Sequence, residues 1–387
     1  MKLTLRRITA SLLAPLATLH AATPPNILWL TAEDHGPHLG CYGDPDAITP
    51  NLDAFAKQAL LYTRASSNAP ICAPARTTLI AGVHAPSLGA HHMRLRVTAP
   101  DWLELIPELL RKEGYYCTNN DKTDYNFTGD HTKLWDESSQ TAHYRNRPEG
   151  APFFAVFNSM ITHESGLRTE NPDPIHDPAR IIVPPYHPDI PEVRKDWAQY
   201  HDRITQMDRW VGEQLAELEK AGLAEDTIVF FFSDHGSGMP RSKRYAGWSG
   251  LHVPLLVRIP EKFRHLRPAG YEAGGRSDRL VSFVDFAPTL LSLLGREALP
   301  WHTGSAFLGT HTRPAPTHSF GYVGRADERP DESRSATDGR FLYLRNLMPH
   351  VALNKGLRYQ MQTPTTRLWR ELFHAGKLNE VRSLCRT

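Results

Sequence analysis

The chain of 387 residues is 40% hydrophobic and 22% charged, ordinary globular usage that excludes a disordered or fibrous protein. Its formal net charge of +2 is too weak a field to argue for a nucleic-acid partner or an anionic membrane surface. Four cysteines exclude a disulfide-dense scaffold, and 31 prolines point to many fixed turns rather than long helical bundles.

At the N-terminus, Lys2, Arg6 and Arg7 precede an apolar stretch at residues 8–19, and Ala21-Ala22 offers a signal-peptidase-like exit. The stretch is too short for a span of about 20 residues. Residues 1–21 are therefore predicted to be an export signal, which places the remainder in the periplasm or outside the cell. No later segment reads as transmembrane. Losing this segment removes three cations and leaves the rest close to neutral. Cys41, Cys72, Cys117 and Cys385 are scattered, with no disulfide framework in their spacing.

The elements that follow alternate between strand and helix. Residues 26–31 (NILWLT) form an apolar run suited to a buried parallel strand, ending at Glu33-Asp34. Thr49-Pro50 is an N-cap and first-turn pair, and Leu52, Phe55, Ala56, Ala59 and Leu60 follow at amphipathic-helix spacing. A second buried strand is predicted at 153–157. A long helix at 192–218 carries Trp197, Tyr200, Ile204, Met207, Val211 and Leu215 on one face. A third strand at 227–232 (TIVFFF) ends at Ser233-Asp234-His235-Gly236, a further strand is predicted at 254–259, and a helix at 283–294. This alternation predicts an α/β domain with a mostly parallel central sheet flanked by helices, over residues 22–300. Past residue 300 the chain turns polar and Pro-rich, with one strand-like run at 340–345 and a helix at 366–375. Residues 301–387 are predicted to form a small C-terminal α+β subdomain.

In open α/β sheets, ligands bind beyond the carboxyl ends of the strands. Glu33-Asp34 and Asp234-His235 both occupy that position, and neighbouring strands would gather them into a pocket of hard oxygen donors suited to Ca²⁺ or Mg²⁺. The plainer alternative is that strand-end acids only cap helices and start turns. Cys72 opens the segment Cys72-Ala73-Pro74-Ala75-Arg76, a cysteine at a helix start with an arginine one turn on. The alternative there is a buried, inert thiol.

The pattern C-x-P-x-R followed by a short helix and Gly82 resembles the signature of type I sulfatases, in which the cysteine is oxidised to formylglycine. Pro25–Gly36 resembles that family's first strand and acidic metal pair, with Glu33 where Asp is commoner. Thr49-Pro50-Asn51-Leu52-Asp53 resembles its T-P-N-L-D, Ser233-Asp234-His235-Gly236 its S-D-[HN]-G block, and Val284–Leu290 its late helix. His91-His92-Met93-Arg94 looks like the heparan N-sulfatase-like bacterial branch.

The resemblance implies an alkaline-phosphatase-like sandwich, whose C-terminal region in the family usually continues past Thr387. It implies a metal site of Glu33, Asp34, Cys72, Asp234 and His235, with Ca²⁺, or Mg²⁺ in its place, favoured over Zn²⁺ because all but the His235 and Cys72 donors are oxygen. It also implies a catalytic set of Cys72, Arg76, Lys122, His163, Lys243 and Asp234. Lys122 fits the Lys of the family's G-K-W-H block, Lys243 its sulfate-binding Lys and His163 its substrate-binding His. His91, His92, Arg94 and Asp124 are expected to touch substrate. Asp124 stands where the family has a His that assists sulfate release; either Asp124 takes that proton, or a displaced His91 or His92 does.

A hydrated formylglycine offers two hydroxyls on one carbon, one to attack sulfur and one to expel sulfate afterwards. The implied activity is hydrolysis of sulfate esters or N-sulfates, with a sulfated carbohydrate as substrate and a formylglycine-generating maturation enzyme as partner. Two other readings stay open: a phosphomonoester or phosphonate hydrolase with Cys72 unmodified, and an inactive glycan-binding homologue. Specificity is expected in the loops at 124–147 and 166–191.

Overall fold

The protein's computed structural model describes residues 24–351 and 356–383. The predicted export signal at 1–21 and Cys385 lie outside the described residues. Among the described residues, no helix is long and apolar enough to cross a membrane.

In chain order the elements are β1 (Asn26–Ala32), α1 (Pro50–Ala56), β2 (Leu60–Ser66), α2 (Cys72–Ala81), α3 (Ile106–Lys112), β3 (Tyr116–Asn120), β4 (Glu137–Ser138) and β5 (Phe153–Ser159). There follow α4 (Pro191–Lys220), β6 (Thr227–Ser233), α5 (Trp248–Leu251), β7 (Leu255–Arg258), β8 (Arg276–Ser282) and α6 (Phe286–Leu293). The C-terminal part holds β9 (Ser319–Val323), β10 (Ser333–Thr337), β11 (Leu342–Asn346) and α7 (Pro364–His374). Eight strands form one sheet in the order β4-β3-β5-β1-β6-β7-β2-β8, and β9, β10 and β11 form a separate antiparallel sheet.

The central strands are apolar on both faces because both faces are covered. Ile27 and Trp29 of β1, with Phe230 and Phe232 of β6, point to one side, where Leu79, Ile80, Phe286 and Leu290 of α2 and α6 pack. Leu28 and Leu30, with Val229 and Phe231, point to the other, against Leu52 and Phe55 of α1 and Trp197, Ile204, Met207 and Val211 of α4. Trp29 meets Phe154, Phe232 and Phe286 edge-on, at centroid distances of 4.9, 5.3 and 5.6 Å.

Three expectations change. The helix after Thr49-Pro50 stops at Ala56, and Leu60 begins β2, which pairs with β7 and β8. The apolar Ala59 and Leu60 match helical spacing, but sheet pairing overrides that local pattern. The predicted strand near 254–259 is β7, and it runs antiparallel to both β6 and β2, so the mostly parallel sheet is mixed at one side. The C-terminal run near 340–345 is β11, joined by β9 and β10, five residues each, the first broken by Gly321 and the second polar, so that neither carries a clear strand signal.

Thr49 does not cap α1 with its side chain. Asp208 of α4 does so from a distance: Oδ1 accepts from Leu52 N (2.7 Å), and Oδ2 from Asn51 N (3.1 Å) and Asn51 Nδ2 (2.8 Å). Gly212, one turn further along α4, leaves the room this needs, since a Cβ there would sit 2.4 Å from Asn51 Oδ1.

Candidate active site

The carboxyl ends of β3, β5, β1 and β6 lie side by side and in parallel, with Ala32 in register with both Ser159 and Ser233. The residues just beyond these ends therefore converge: Lys122 after β3, His163 after β5, Glu33 and Asp34 after β1, Asp234 and His235 after β6. Asp34 adopts a left-handed φ of 48°, and its N–H donates to Asp234 Oδ1 at 3.1 Å, tying the two acids together. Helix α2, arriving from β2, brings Cys72 at its first turn and Arg76 one turn later.

Asp34, Cys72, Asp234 and His235 present ligand atoms all within 4.8 Å of one another, and all four residues are buried. Cys72 Sγ lies 3.3 Å from His235 Nε2 and 4.0 Å from Asp34 Oδ1. His235 Nδ1 is 2.8 Å from the Gly236 carbonyl, an acceptor, so Nδ1 carries the proton and Nε2 presents its lone pair to the cluster. Glu33 Oε2 is buried with no hydrogen-bond partner. The Glu33 oxygen, with His235 Nε2 and the carboxylates of Asp34 and Asp234, makes a donor set that fits a divalent cation.

Fixed cations stand opposite. Arg76 donates through Nε to Asp234 (3.3 Å), Nη1 to Asn158 (2.8 Å) and Nη2 to Glu33 (3.2 Å), so it orders the acids as well as opposing their charge. Lys243 Nζ lies 2.7 Å from Asp34 and 3.0 Å from Glu164, and Glu164 is gripped by both terminal nitrogens of Arg244 at 2.8 and 3.0 Å. Lys122 pairs with Glu33 and lies 3.9 Å from Asp124. His163 Nε2 stands 4.0 Å from Glu33 Oε2, with Nδ1 2.8 Å from Ser165 Oγ.

Burial dominates the titration of these groups. It pushes Glu33 up to about 7, aided by Asp234 and opposed by Arg76 and Lys122. It pushes the Cys72 thiol well up, so an unmodified Cys72 is a thiol rather than a thiolate. It lowers His163 to about 4, leaving a neutral ring. Burial would raise Asp34 as well, but Lys243 and His235 outweigh it and hold that carboxyl low.

Nine of the residues singled out by sequence meet in this cluster: Glu33, Asp34, Cys72, Arg76, Lys122, His163, Asp234, His235 and Lys243. Asp124 and Arg94 sit at its rim, paired at 3.4 Å, and line a cavity of about 430 Å³ with Arg96, Lys122, Tyr125 and His131. His91 and His92 are not part of this cluster: their rings lie 4.2 Å apart, tilted by 50°, and His92 Nδ1 accepts from Arg325 N at 2.8 Å, on the segment after β9. Sequence reasoning missed Glu164, Arg244 and Asn158. The first two directly follow His163 and Lys243 and are buried; only their adjacency to those residues signalled them. Tyr359, stacked under Arg168 at 3.9 Å near His163, carried no signal at all.

The sulfatase family model matches residues 25–296. The chain is 36% identical to an ulvan-active sulfatase of Formosa agariphila, over 92% of this chain and 66% of the relative. It is 29% identical to N-sulphoglucosamine sulphohydrolase of Homo sapiens, over 70% of this chain and 61% of the relative. It thus spans less than two thirds of the length of either relative. Among solved structures it is similar in fold to a phosphonate monoester hydrolase from Silicibacter pomeroyi, with TM-score 0.67 and 18% identity, over 83% of this chain and 87% of that one. The fold is the alkaline-phosphatase-like one, and with the family model matched over most of its length the chain belongs to the sulfatase family.

Proposed function

We propose that this chain hydrolyses sulfate esters or N-sulfates on a sulfated carbohydrate, using a formylglycine made from Cys72. Glu33, Asp34, Asp234 and His235 would hold a divalent metal, Ca²⁺ with Mg²⁺ as the alternative. The observation that carries the reading is the setting of Cys72: a buried side chain at the head of α2, 3.3 Å from His235 Nε2, between a carboxylate cluster and three fixed cations. The names of the relatives, one ulvan-active and one acting on N-sulphoglucosamine, support the substrate class.

A bound divalent cation supplies positive charge that acidifies a hydroxyl and offsets the sulfate oxygens. The chain's own residues do the rest. Arg76, Lys122 and Lys243 set positive charge where negative charge spreads as the S–O or S–N bond breaks. Lys122 and His163, 15% and 14% exposed against 3% for Lys243, mark the side from which an anion reaches Cys72. A hydroxyl of the hydrated aldehyde gives its proton to Asp234, whose orientation Arg76 fixes, and attacks sulfur. Lys243 gives a proton to the departing oxygen or nitrogen, which the N–H of the neutral His163 orients. The second hydroxyl then loses its proton, sulfate leaves, and the aldehyde returns. Asp124, paired with Lys122 and with Oδ2 free of hydrogen bonds, is better placed to take that proton than His91 or His92.

The reading also assigns the chain a formylglycine-generating maturation enzyme as partner and a periplasmic or secreted location. Hydrazide labelling of protein from its native host, with Cys72→Ala as control, tests the modification, and a panel of sulfated sugars including N-sulfated glucosamine tests the activity. Labelling that depends on Cys72, together with sulfate release, is expected. No label at Cys72, with phosphonate or phosphomonoester hydrolysis intact in Cys72→Ala, would overturn the reading.

A further inference from the structure

A second group of metal-ligating side chains lies outside this cluster, where the loop after β1 meets α4. Asp44, Asp46 and His201 present ligand atoms all within 4.8 Å of one another, and His201 Nε2 is 3.5 Å from Asp44 Oδ1. His201 is only 2% exposed, and its Nε2 makes no hydrogen bond. Its Nδ1 is 3.1 Å from the Trp197 carbonyl, an acceptor, so Nδ1 holds the proton and Nε2 aims a bare lone pair at the two carboxylates.

The surroundings repeat this preparation. His176, its ring 5.6 Å from that of His201, places Nδ1 2.8 Å from Asp202 Oδ1 and leaves a buried Nε2 without a partner. Asp202 is itself fixed by the N–H groups of Ile175 and His176 and by Asn171 Nδ2. An imidazole oriented by a carboxylate or carbonyl on one nitrogen and bare on the other is the usual outer support of a metal-bound histidine. The carboxylates are held too: Asp46 N donates to Asp44 Oδ1 at 2.9 Å, and Ile182 N to Asp46 Oδ2 at 2.8 Å. Both acids are partly exposed, which leaves an entry path and room for water in the remaining positions.

We propose that Asp44, Asp46 and His201 form a second divalent-metal site, distinct from the Cys72 cluster, that takes Zn²⁺ or another first-row transition ion. One imidazole with only two carboxylates favours such borderline ions over Ca²⁺, which takes about six to eight ligands, mostly oxygen. The site would tie the loop after β1, which leads directly from Glu33 and Asp34, to the middle of α4.

The test titrates Zn²⁺ calorimetrically into the metal-stripped full chain under saturating Ca²⁺, and follows Co²⁺ binding by its visible absorption. The expected result is one Zn²⁺ per chain, weakened at least tenfold in Asp46→Asn and His201→Gln but retained in Asp234→Asn, with the Co²⁺ bands following the same pattern. Asp46 is half-buried, so its variant carries the test if His201→Gln fails to fold. Absence of Zn²⁺ binding under these conditions would overturn the proposal. So would unchanged affinity in Asp46→Asn, or loss of the site in Asp234→Asn alone.

Discussion

Two sets of buried acids in this molecule are stabilised in opposite ways. Asp208, at the junction of α4 with α1, is satisfied by two backbone N–H groups and one side-chain amide, donors that cost nothing to keep neutral. Glu33, Asp34 and Asp234 are instead held by Arg76, Lys122 and Lys243, side chains that are themselves charged and buried. Backbone donors consume an acid's lone pairs in the service of the fold. The charged cluster leaves one, Glu33 Oε2, unspent. The difference teaches where ligand chemistry is available: buried charge balanced by buried charge is weak support for stability, and it concentrates at the strand ends around Cys72.

The comparison breaks most visibly if function is removed without touching the fold. Cys72→Ala is expected to lower turnover of a sulfated substrate by at least about 10³-fold while leaving the urea midpoint nearly unchanged, since the side chain changes little in volume. Arg76→Ala should fail on both counts. It strips two buried acids of their counter-charge, and unfolding titrations should record a loss of about 3–5 kcal/mol.

A pH series sharpens the contrast away from the cluster. Burial raises Asp285, which faces Ser282 and Ser305, from 3.8 to about 6. A folded-state value above the unfolded one means that the protonated acid favours the fold. Its contribution is full below about pH 4 and is lost as pH rises through about 6, a fall of roughly 3 kcal/mol. Stability measured relative to Asp285→Asn should decline over that window, and a flat difference would refute the assignment. The smallest effect is expected at the junction. Asp208→Ala should cost about 1–3 kcal/mol by leaving amide donors unmet and should leave kcat unaltered.

Much of this was legible in sequence because both faces of a parallel sheet must be apolar, so β1, β5 and β6 announce themselves as unbroken hydrophobic runs. Their ends, marked by Glu33-Asp34 and Asp234-His235, then had to converge. The mixed character of the sheet was not legible, because it comes from the direction of the four-residue Leu255–Arg258, which pairing rather than local pattern decides, and because Leu60–Ser66 and Arg276–Ser282 carry polar residues toward an edge. Thr49 holds the N-cap position and Pro50 the first turn, but the carboxylate that accepts from the first-turn N–H groups belongs to Asp208, 157 residues from Asn51, and no local pattern encodes such a contact. Glu164 and Arg244 escaped notice because a buried ion pair looks, in sequence, like two surface charges. His91 and His92 stood out as a pair, and of the two the His92 ring accepts from Arg325 N on the segment after β9.

The central claim is that residue 72, as an aldehyde among these charges, cleaves the bond to a sulfate group. The most direct measurement is release of inorganic sulfate from a panel of sulfated sugars, by protein samples whose Cys72-bearing peptide differs in its fraction of hydrazide-reactive aldehyde. The account predicts a rate proportional to that fraction and abolished in Cys72→Ala. A rate independent of the aldehyde, or undiminished in Cys72→Ala, would contradict it.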